Sequence, residues 1–392
     1  MRGEPLPAHF SWGAMMKNVS YTLLLLSMAT SASGAPPAAV TGQSSNYAGV
    51  DLSYVNEVES CGAEFRAGGK VRDPYELFAQ GGANLVRLRL WNNPDWTNFS
   101  TEADVTRSME RAKKAGMNVL LDFHYSDDWA DPQKQTIPAS WKADIDDPDK
   151  LAVRVYEYTR DVLARLNSKG LLPHMVQVGN ETNTQMLRPA DTKGDPIDWA
   201  RNAKILNAGI RAVREARAAD GSSPKVMLHV AQPENVEPWF AAAVAAGVRD
   251  FDLIGISYYP KWSSSNLTQA EAAIARVRKR FDRPFVIVEV SYPFTLRDAG
   301  DKAPNLLGED SLHRGYPATM RGQQRFMNDI VGMTLRAGGV GVVYWEPAWV
   351  STRCPTRWGT GSHWENATLF DFRSGNELTP AADFLKTIRG IQ

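Results

Sequence analysis

The sequence predicts an α/β fold, a closed (β/α)8 TIM barrel with extended loops after its strands, on three observations. Apolar, β-branched runs of strand length alternate with helix-periodic segments eight times from Tyr47 to the C-terminus. The excess over a typical barrel of about 250 residues lies after strands, in Tyr125–Asp147, Thr182–Trp199, Tyr292–Gly322 and Glu346–Pro380. Loops on that side build the working face of a barrel, whereas the loops after helices stay short. No glycine-rich phosphate loop follows the first strand, which weighs against an open, doubly wound sheet.

The elements follow in order. Tyr47 to Leu52 reads as the first strand, and the weakly patterned Pro74 to Gln80 as a short helix. Leu85 to Leu90 is the second strand. Thr101 caps a helix in which Val105, Met109 and Ala112 recur at helical spacing and which Gly116 ends. Asn118 to Phe123 is the third strand, followed by a long amphipathic helix marked by Leu151, Val155, Tyr158, Val162 and Leu166. The fourth strand runs from Met175 into Gly179-Asn180-Glu181, and Trp199 to Ala218 is helical. Lys225–Val230, Leu253–Ser257, Phe285–Glu289 and Val340–Trp345 complete the strands. Helices at 236–246, 267–280, 323–337 and 381–389 alternate with them.

The N-terminus reads as an export signal. Met16-Lys17 gives a positive start, Tyr21 to Ala29 a short apolar stretch, and Ala32-Ser33-Gly34-Ala35 a small-residue cleavage site. The apolar stretch is too short for a permanent bilayer span; the alternative is a buried apolar segment. Residues 1–35 are therefore expected to be a signal peptide, 36–46 a flexible lead-in and 47–392 the (β/α)8 catalytic domain, secreted or periplasmic. The 44 acidic residues balance the 44 basic ones, and no basic run tracks phosphates, which argues against a nucleic-acid partner. The 12 Trp suit either thick loops or stacking surfaces for a flat ligand.

Polar residues gather at the predicted strand ends: Asp51, Arg87, Arg89, Asp122, His124, Asn180, Glu181, Tyr258, Tyr259, Glu289 and Trp345. A carboxylate ending an apolar run is costly unless it is paired or hydrogen-bonded. Glu181 and Glu289 each end such a run, on the fourth and seventh strands, and a closed barrel lets them face each other. Two carboxyls amid Arg, His and Tyr donors suit glycoside cleavage, one protonated and one ionised. Either glutamate alone could be a barrel ion-pair partner; the pair together is the sharper signal. No HExxH or Cys–His cluster appears, so no metal is expected, and His124 reads as a hydrogen-bonding residue.

The residues then resemble a known family. Asn180-Glu181 with Glu289 resembles the signature of the clan of retaining (β/α)8 glycosidases. Within it, the stretches 49–53, 86–91, 122–132, 255–260 and 358–361 (GVDLS, VRLRLW, DFHYSDDWADP, GISYYP and WGTG) are similar to the arabinogalactan endo-β-1,4-galactanases of glycoside hydrolase family 53. The likeness implies β-1,4-galactan, the side chain of pectic arabinogalactan, as substrate, Glu181 as acid/base and Glu289 as nucleophile. It further implies that Asn180 contacts the sugar 2-OH, that Tyr259 orients Glu289 and that Trp345 floors the central subsite. Asp51, Arg87, Arg89, His124 and Asp128 join the expected substrate-binding set. Trp91, Trp129, Tyr292, Trp349 and Trp364 fit sugar stacking, though each could equally be loop core.

Some bacterial members carry a structural calcium in the loop after the seventh strand. Here Asp301 and Asn305 remain as ligands, but Ala299 and Ala303 stand where others are expected, so a tight site is not expected. Cys61 follows the first strand and Cys354 the eighth; these are neighbours in a closed barrel, and a Cys61–Cys354 disulfide is expected. A monomer acting on polysaccharide, without cofactor or membrane, completes the expectation. Another β-1,4-glycanase (mannanase, xylanase or cellulase) and a non-catalytic sugar-binding barrel are the alternatives.

Overall fold

Eight parallel strands close on themselves in chain order, each bonded to its sequence neighbours. They are β1 (Tyr47–Asp51), β2 (Leu85–Leu90), β3 (Asn118–Phe123), β4 (Met175–Val178), β5 (Lys225–Ala231), β6 (Leu253–Ser257), β7 (Phe285–Val290) and β8 (Gly341–Tyr344). The outer helices are α1 (Pro74–Gln80), α2 (Glu102–Lys114), α3 (Pro148–Ser168), α4 (Trp199–Glu215), α5 (Pro233–Ala245), α6 (Leu267–Phe281), α7 (Met320–Arg336) and α8 (Phe384–Arg389). The computed structural model describes residues 46–391, apart from residues 191 and 193–195. The expected signal peptide and all but the last residue of the lead-in lie outside the described residues. No helix among the described residues is long and apolar enough to cross a membrane.

Helix starts are set by short polar side chains. Asp73, Thr101, Asp147, Asp198, Asn266 and Thr319 each accept backbone N–H groups at the start of α1, α2, α3, α4, α6 and α7. Such a cap contributes about 1 kcal/mol by satisfying a donor that the helix leaves unpaired. Each helix then lays an apolar stripe on the barrel, as α3 does with Leu151, Val155, Val162 and Leu166.

The barrel interior is layered. Leu85, Leu120, Met175, Met227, Leu253, Val286, Val288 and Val343 form an apolar plug of their own. Side chains two residues apart share a face of a strand. Two residues beyond the plug, the same inward faces of β2, β3, β4 and β5 carry Arg87, Asp122, Gln177 and His229, all buried. The floor of the site is therefore polar by strand periodicity, set directly on a greasy plug.

Part of the chain departs from the expected alternation. A short helix (Val55–Ser60) and a hairpin (Phe65–Ala67 with Lys70–Arg72) follow β1. The hairpin joins Glu377–Leu378 and Phe370–Asp371 in a four-stranded sheet beside the barrel. Strands of two or three residues carry no period to detect; the turn at Gly68-Gly69, with φ of 59° and 74°, is the only local mark. Trp345 lies just beyond β8 rather than within it. Cys61 and Cys354 are bonded to each other, tying the segment after β1 to the loop after β8.

Candidate active site

A cleft of about 820 Å³ opens at the C-terminal ends of the strands. Asp51, Arg87, Arg89, His124, Trp129, Asn180, Glu181, Tyr259, Glu289 and Trp345 all line it. Its centre is organised by Arg87. The guanidinium meets Asp51 at 2.8 Å, Asp122 at 2.8 Å and Glu289 Oε1 at 2.8 Å. It also donates to Asn180 Oδ1 at 2.7 Å and Gln177 Oε1 at 3.3 Å. A buried cation needs this degree of pairing to offset its lost hydration.

Glu289 is held from two sides, by Arg87 on Oε1 and by the Tyr259 hydroxyl, which donates to Oε2 at 3.0 Å. Glu181 differs. Among the described residues no guanidinium or ammonium bonds its carboxyl, and the nearby Ser257 hydroxyl favours its ionised form. Burial and the nearby Glu289 charge push its pKa well above the ordinary carboxylate range. Burial also lifts Glu289, to about 7, but there the Arg87 charge opposes the rise. Of the two, Glu181 therefore keeps its proton and Glu289 loses it first. A carboxylate oxygen of Glu181 and one of Glu289 lie within 4.8 Å of each other.

His229 supports this arrangement from beneath. Its Nδ1 accepts the Glu181 backbone N–H at 3.2 Å and the Gln177 side-chain amide at 2.9 Å. Nε2 is thereby the protonated nitrogen and donates to Ser257 Oγ at 2.8 Å. The Ser257 hydroxyl is left free to turn its hydrogen to Glu181. Burial and the Arg87 charge hold the ring neutral, well below its ordinary pKa. Glu181, His229 and Glu289 could be read as three metal ligands, but both ring nitrogens are already committed, which leaves no lone pair for an ion.

Other residues brace the rim. His124 Nδ1 accepts the Ala130 N–H at 3.1 Å and Nε2 meets Asp122 at 3.1 Å; burial keeps this ring neutral too. Asn180 Nδ2 donates to the Ala130 carbonyl at 2.8 Å, and its second hydrogen has no partner among the described residues. Arg89 lies over the rings of Trp129, Tyr54 and Trp91, at 4.1, 4.7 and 4.7 Å, and pairs with the fully buried Glu346 at 3.3 Å. Positive φ recurs just past strand ends, at Tyr125 (49°), Glu181 (43°), Gln232 (67°) and Glu346 (48°). Each such non-glycine costs on the order of 1–3 kcal/mol and persists where function fixes the side chain. Gly179, at φ 85°, directly follows β4; a Cβ there would lie 2.6 Å from Thr182 Cγ2, so only glycine lets the chain turn into Asn180-Glu181.

Three residues expected to bind substrate lie elsewhere. Trp91 is buried beneath Arg89 and Trp96. Asp128 faces Lys134 at 2.6 Å and Arg357 at 3.0 Å, joining two loops. Tyr292 is buried, stacked on Phe326 at 4.2 Å, and donates to the Tyr316 carbonyl at 2.6 Å. Trp349 and Trp364 do line the cleft, with Trp358 and Trp262, which the sequence reading did not single out as sugar platforms. Gln177, His229 and Ser257 were also missed; a lone His in the apolar run Lys225–Ala231 was the available signal.

The loops after β7 and β8 bring carboxylate oxygens of Asp298, Asp301 and Glu365 within 4.8 Å of one another. Most are already used. Asp301 accepts from Ala303, Ser351 and Ser362, Asp298 from Gly300, and Glu365 from Ala299. Burial pushes Glu365 up to about 8, so near neutral pH it carries a proton. This donor set falls short of the six to eight oxygens that Ca²⁺ takes.

Comparison with known proteins finds one recurring family. The family model described as "Glycosyl hydrolase family 53" matches residues 47–385. An arabinogalactan endo-beta-1,4-galactanase of Cellvibrio japonicus is 52% identical over 341 residues, covering 87% of this chain and 90% of that protein. An endo-beta-1,4-galactanase of Bacillus subtilis is 34% identical, covering 83% of this chain and 77% of its own length. The solved catalytic domain of an Ignisphaera aggregans member of the same family superposes with a TM-score of 0.78 at 29% identity, over 89% of this chain and 98% of that one.

Proposed function

The chain belongs to glycosyl hydrolase family 53, and from that premise we propose that it is an endo-β-1,4-galactanase acting on arabinogalactan with retention of configuration. The observation that carries the mechanism is the approach of Glu181 and Glu289 to within 4.8 Å. Retaining enzymes hold their carboxyls about 5–5.5 Å apart, whereas inversion needs about 6.5–9.5 Å to admit a water between carboxylate and sugar.

The steps follow from the two environments. Glu289, favoured as carboxylate by Arg87, attacks the anomeric carbon and forms a glycosyl ester. Glu181, kept protonated by burial, gives its proton to the departing glycosidic oxygen. Water then enters; Glu181, now the base, takes its proton while the hydroxide attacks the same carbon and frees Glu289. The unused Asn180 hydrogen supports a contact with the sugar 2-OH, and Trp345 with its tryptophan neighbours offers flat faces to galactose. Pectic galactan outside the cell is the setting that the export-like residues 1–35 support, with the mature chain acting as a monomer.

The test is reducing-sugar release from linear β-1,4-galactan, with mannan, xylan and β-1,3-galactan alongside and Glu289→Gln as control. Selective release that the variant abolishes supports both substrate and nucleophile. Release from another polymer overturns the specificity; binding without release would leave a sugar-binding barrel. Proton NMR of the first-formed product reads the anomer, and an α-product would overturn retention.

A further inference from the structure

The backbone at Gln232 is unusual for a residue of the cleft wall. The residue directly follows β5, at φ 67° and ψ 130°, a combination that only glycine adopts freely. Its neighbours hold it there. The backbone N–H donates to the Ser257 carbonyl at 2.9 Å, and Pro233 begins α5 immediately after. The side chain is fixed at one end only: Oε1 accepts the Tyr259 N–H at 3.2 Å. Its Nε2, with two hydrogens, has no hydrogen-bond partner among the described residues, although the residue is only 6% exposed and lines the cleft. A strained backbone, a pinned carbonyl and an unused donor together describe a group prepared for a ligand.

Its position indicates which part of the ligand. Glu289, Arg87, Asn180 and Tyr259 surround the sugar under attack, and Trp129, Trp345, Trp349 and Trp358 extend the cleft on the side of β3 and β8. Gln232 lies on the opposite side, between the strand that carries Glu181 and the one that leads to Tyr259. The leaving sugar must lie beside the acid that protonates its oxygen. Resting on the galactanase reading above, we propose that Gln232 Nε2 donates a hydrogen bond to a hydroxyl of the galactose unit on the leaving-group side of the scissile bond, a substrate contact separate from those that hold the attacked sugar. The exposed ring of Trp262, edge-on to Tyr259 at 5.3 Å, continues the same wall and offers that unit a face.

The experiment compares two substrates with Gln232→Ala and Gln232→Gly. Linear β-1,4-galactan has a sugar as leaving group; an aryl β-1,4-galactobioside departs as a phenol with no such hydroxyl. One neutral hydrogen bond corresponds to about a tenfold effect. The ratio of kcat/KM on polymer to kcat/KM on aryl substrate is expected to fall about tenfold in both variants. Gln232→Gly relieves the backbone strain, so it separates loss of the donor from loss of folding. Equal losses on both substrates would assign Gln232 to bracing Tyr259 and overturn the inference. No change on either would overturn it too. Wild-type protein that fails on β-1,4-galactan would instead overturn the galactanase reading.

Discussion

Arg87 and Glu289 form an ion pair at 2.8 Å that spans the barrel from β2 to β7. The same guanidinium also holds Asp51 and Asp122. One cation thus faces three carboxylates, while Glu181, buried beside Glu289 with no cation bonded to it among the described residues, keeps its proton. The asymmetry that separates an acid from a nucleophile is built from where Arg87 points.

Arg87→Gln is expected to raise the Glu289 pKa, because the charge that opposes its burial is gone. The activity lost at low pH reports the nucleophile being protonated, so that limb of the pH–kcat/KM profile moves upward. The maximum falls on the order of 10²-fold or more. Arg87→Lys keeps the charge without the fork and should shift the limb less. An acid limb that stays in place in Arg87→Gln would remove Arg87 from control of Glu289.

Ser257→Ala acts on the other carboxyl. The hydroxyl favours the ionised form of Glu181, so its loss raises the Glu181 pKa further. The high-pH limb, where the acid is deprotonated, moves upward while the low-pH limb holds. A shift of both limbs together would mean that the two carboxyls are rearranged rather than retuned. Rate against pH on β-1,4-galactan measures it.

The barrel and the two glutamates are legible in the sequence because both rest on local patterns. The strands are apolar runs long enough to count, and a glutamate ending such a run, as Glu181 and Glu289 do, demands an explanation. The second layer is harder to read. Gln177 and His229 earn their roles by meeting across β4 and β5, with Gln177 Nε2 2.9 Å from His229 Nδ1, a contact that closes only in three dimensions. The aromatic residues show the same limit. Trp91 and Trp129 both lie within about one side chain of Arg89, yet one is beneath it and the other faces the cleft. Composition marks such rings as platforms without saying which side of a loop they occupy. Gln232 has no sequence signal; its strain exists only in the folded backbone.

The Cys61–Cys354 bond closes 293 residues of chain and anchors the loop that carries Trp349, Trp358 and Trp364. Removing it with Cys61→Ser/Cys354→Ser is expected to cost about 2–5 kcal/mol. Thermal melts with and without reductant measure the loss. Because the anchored loop supplies cleft rings, KM for galactan should rise more than kcat falls. An unchanged melting temperature on full reduction would show that packing alone holds the loop.

Glu365 links stability to pH away from the active site. Burial holds its folded pKa at about 8, whereas an unfolded glutamate titrates near 4.3. Below the lower value both states are protonated and its stabilising effect is complete. Between the two, the folded state keeps a proton that the unfolded state has lost, so stability declines as pH rises and the effect is gone above about 8. Glu365→Gln mimics the protonated form, and its carbonyl can still accept the Ala299 N–H. The melting temperature of the variant should therefore match wild type near pH 4 and exceed it near pH 8. A wild-type decline that the substitution leaves equally steep would place the proton on another group, with Asp301 the first to examine.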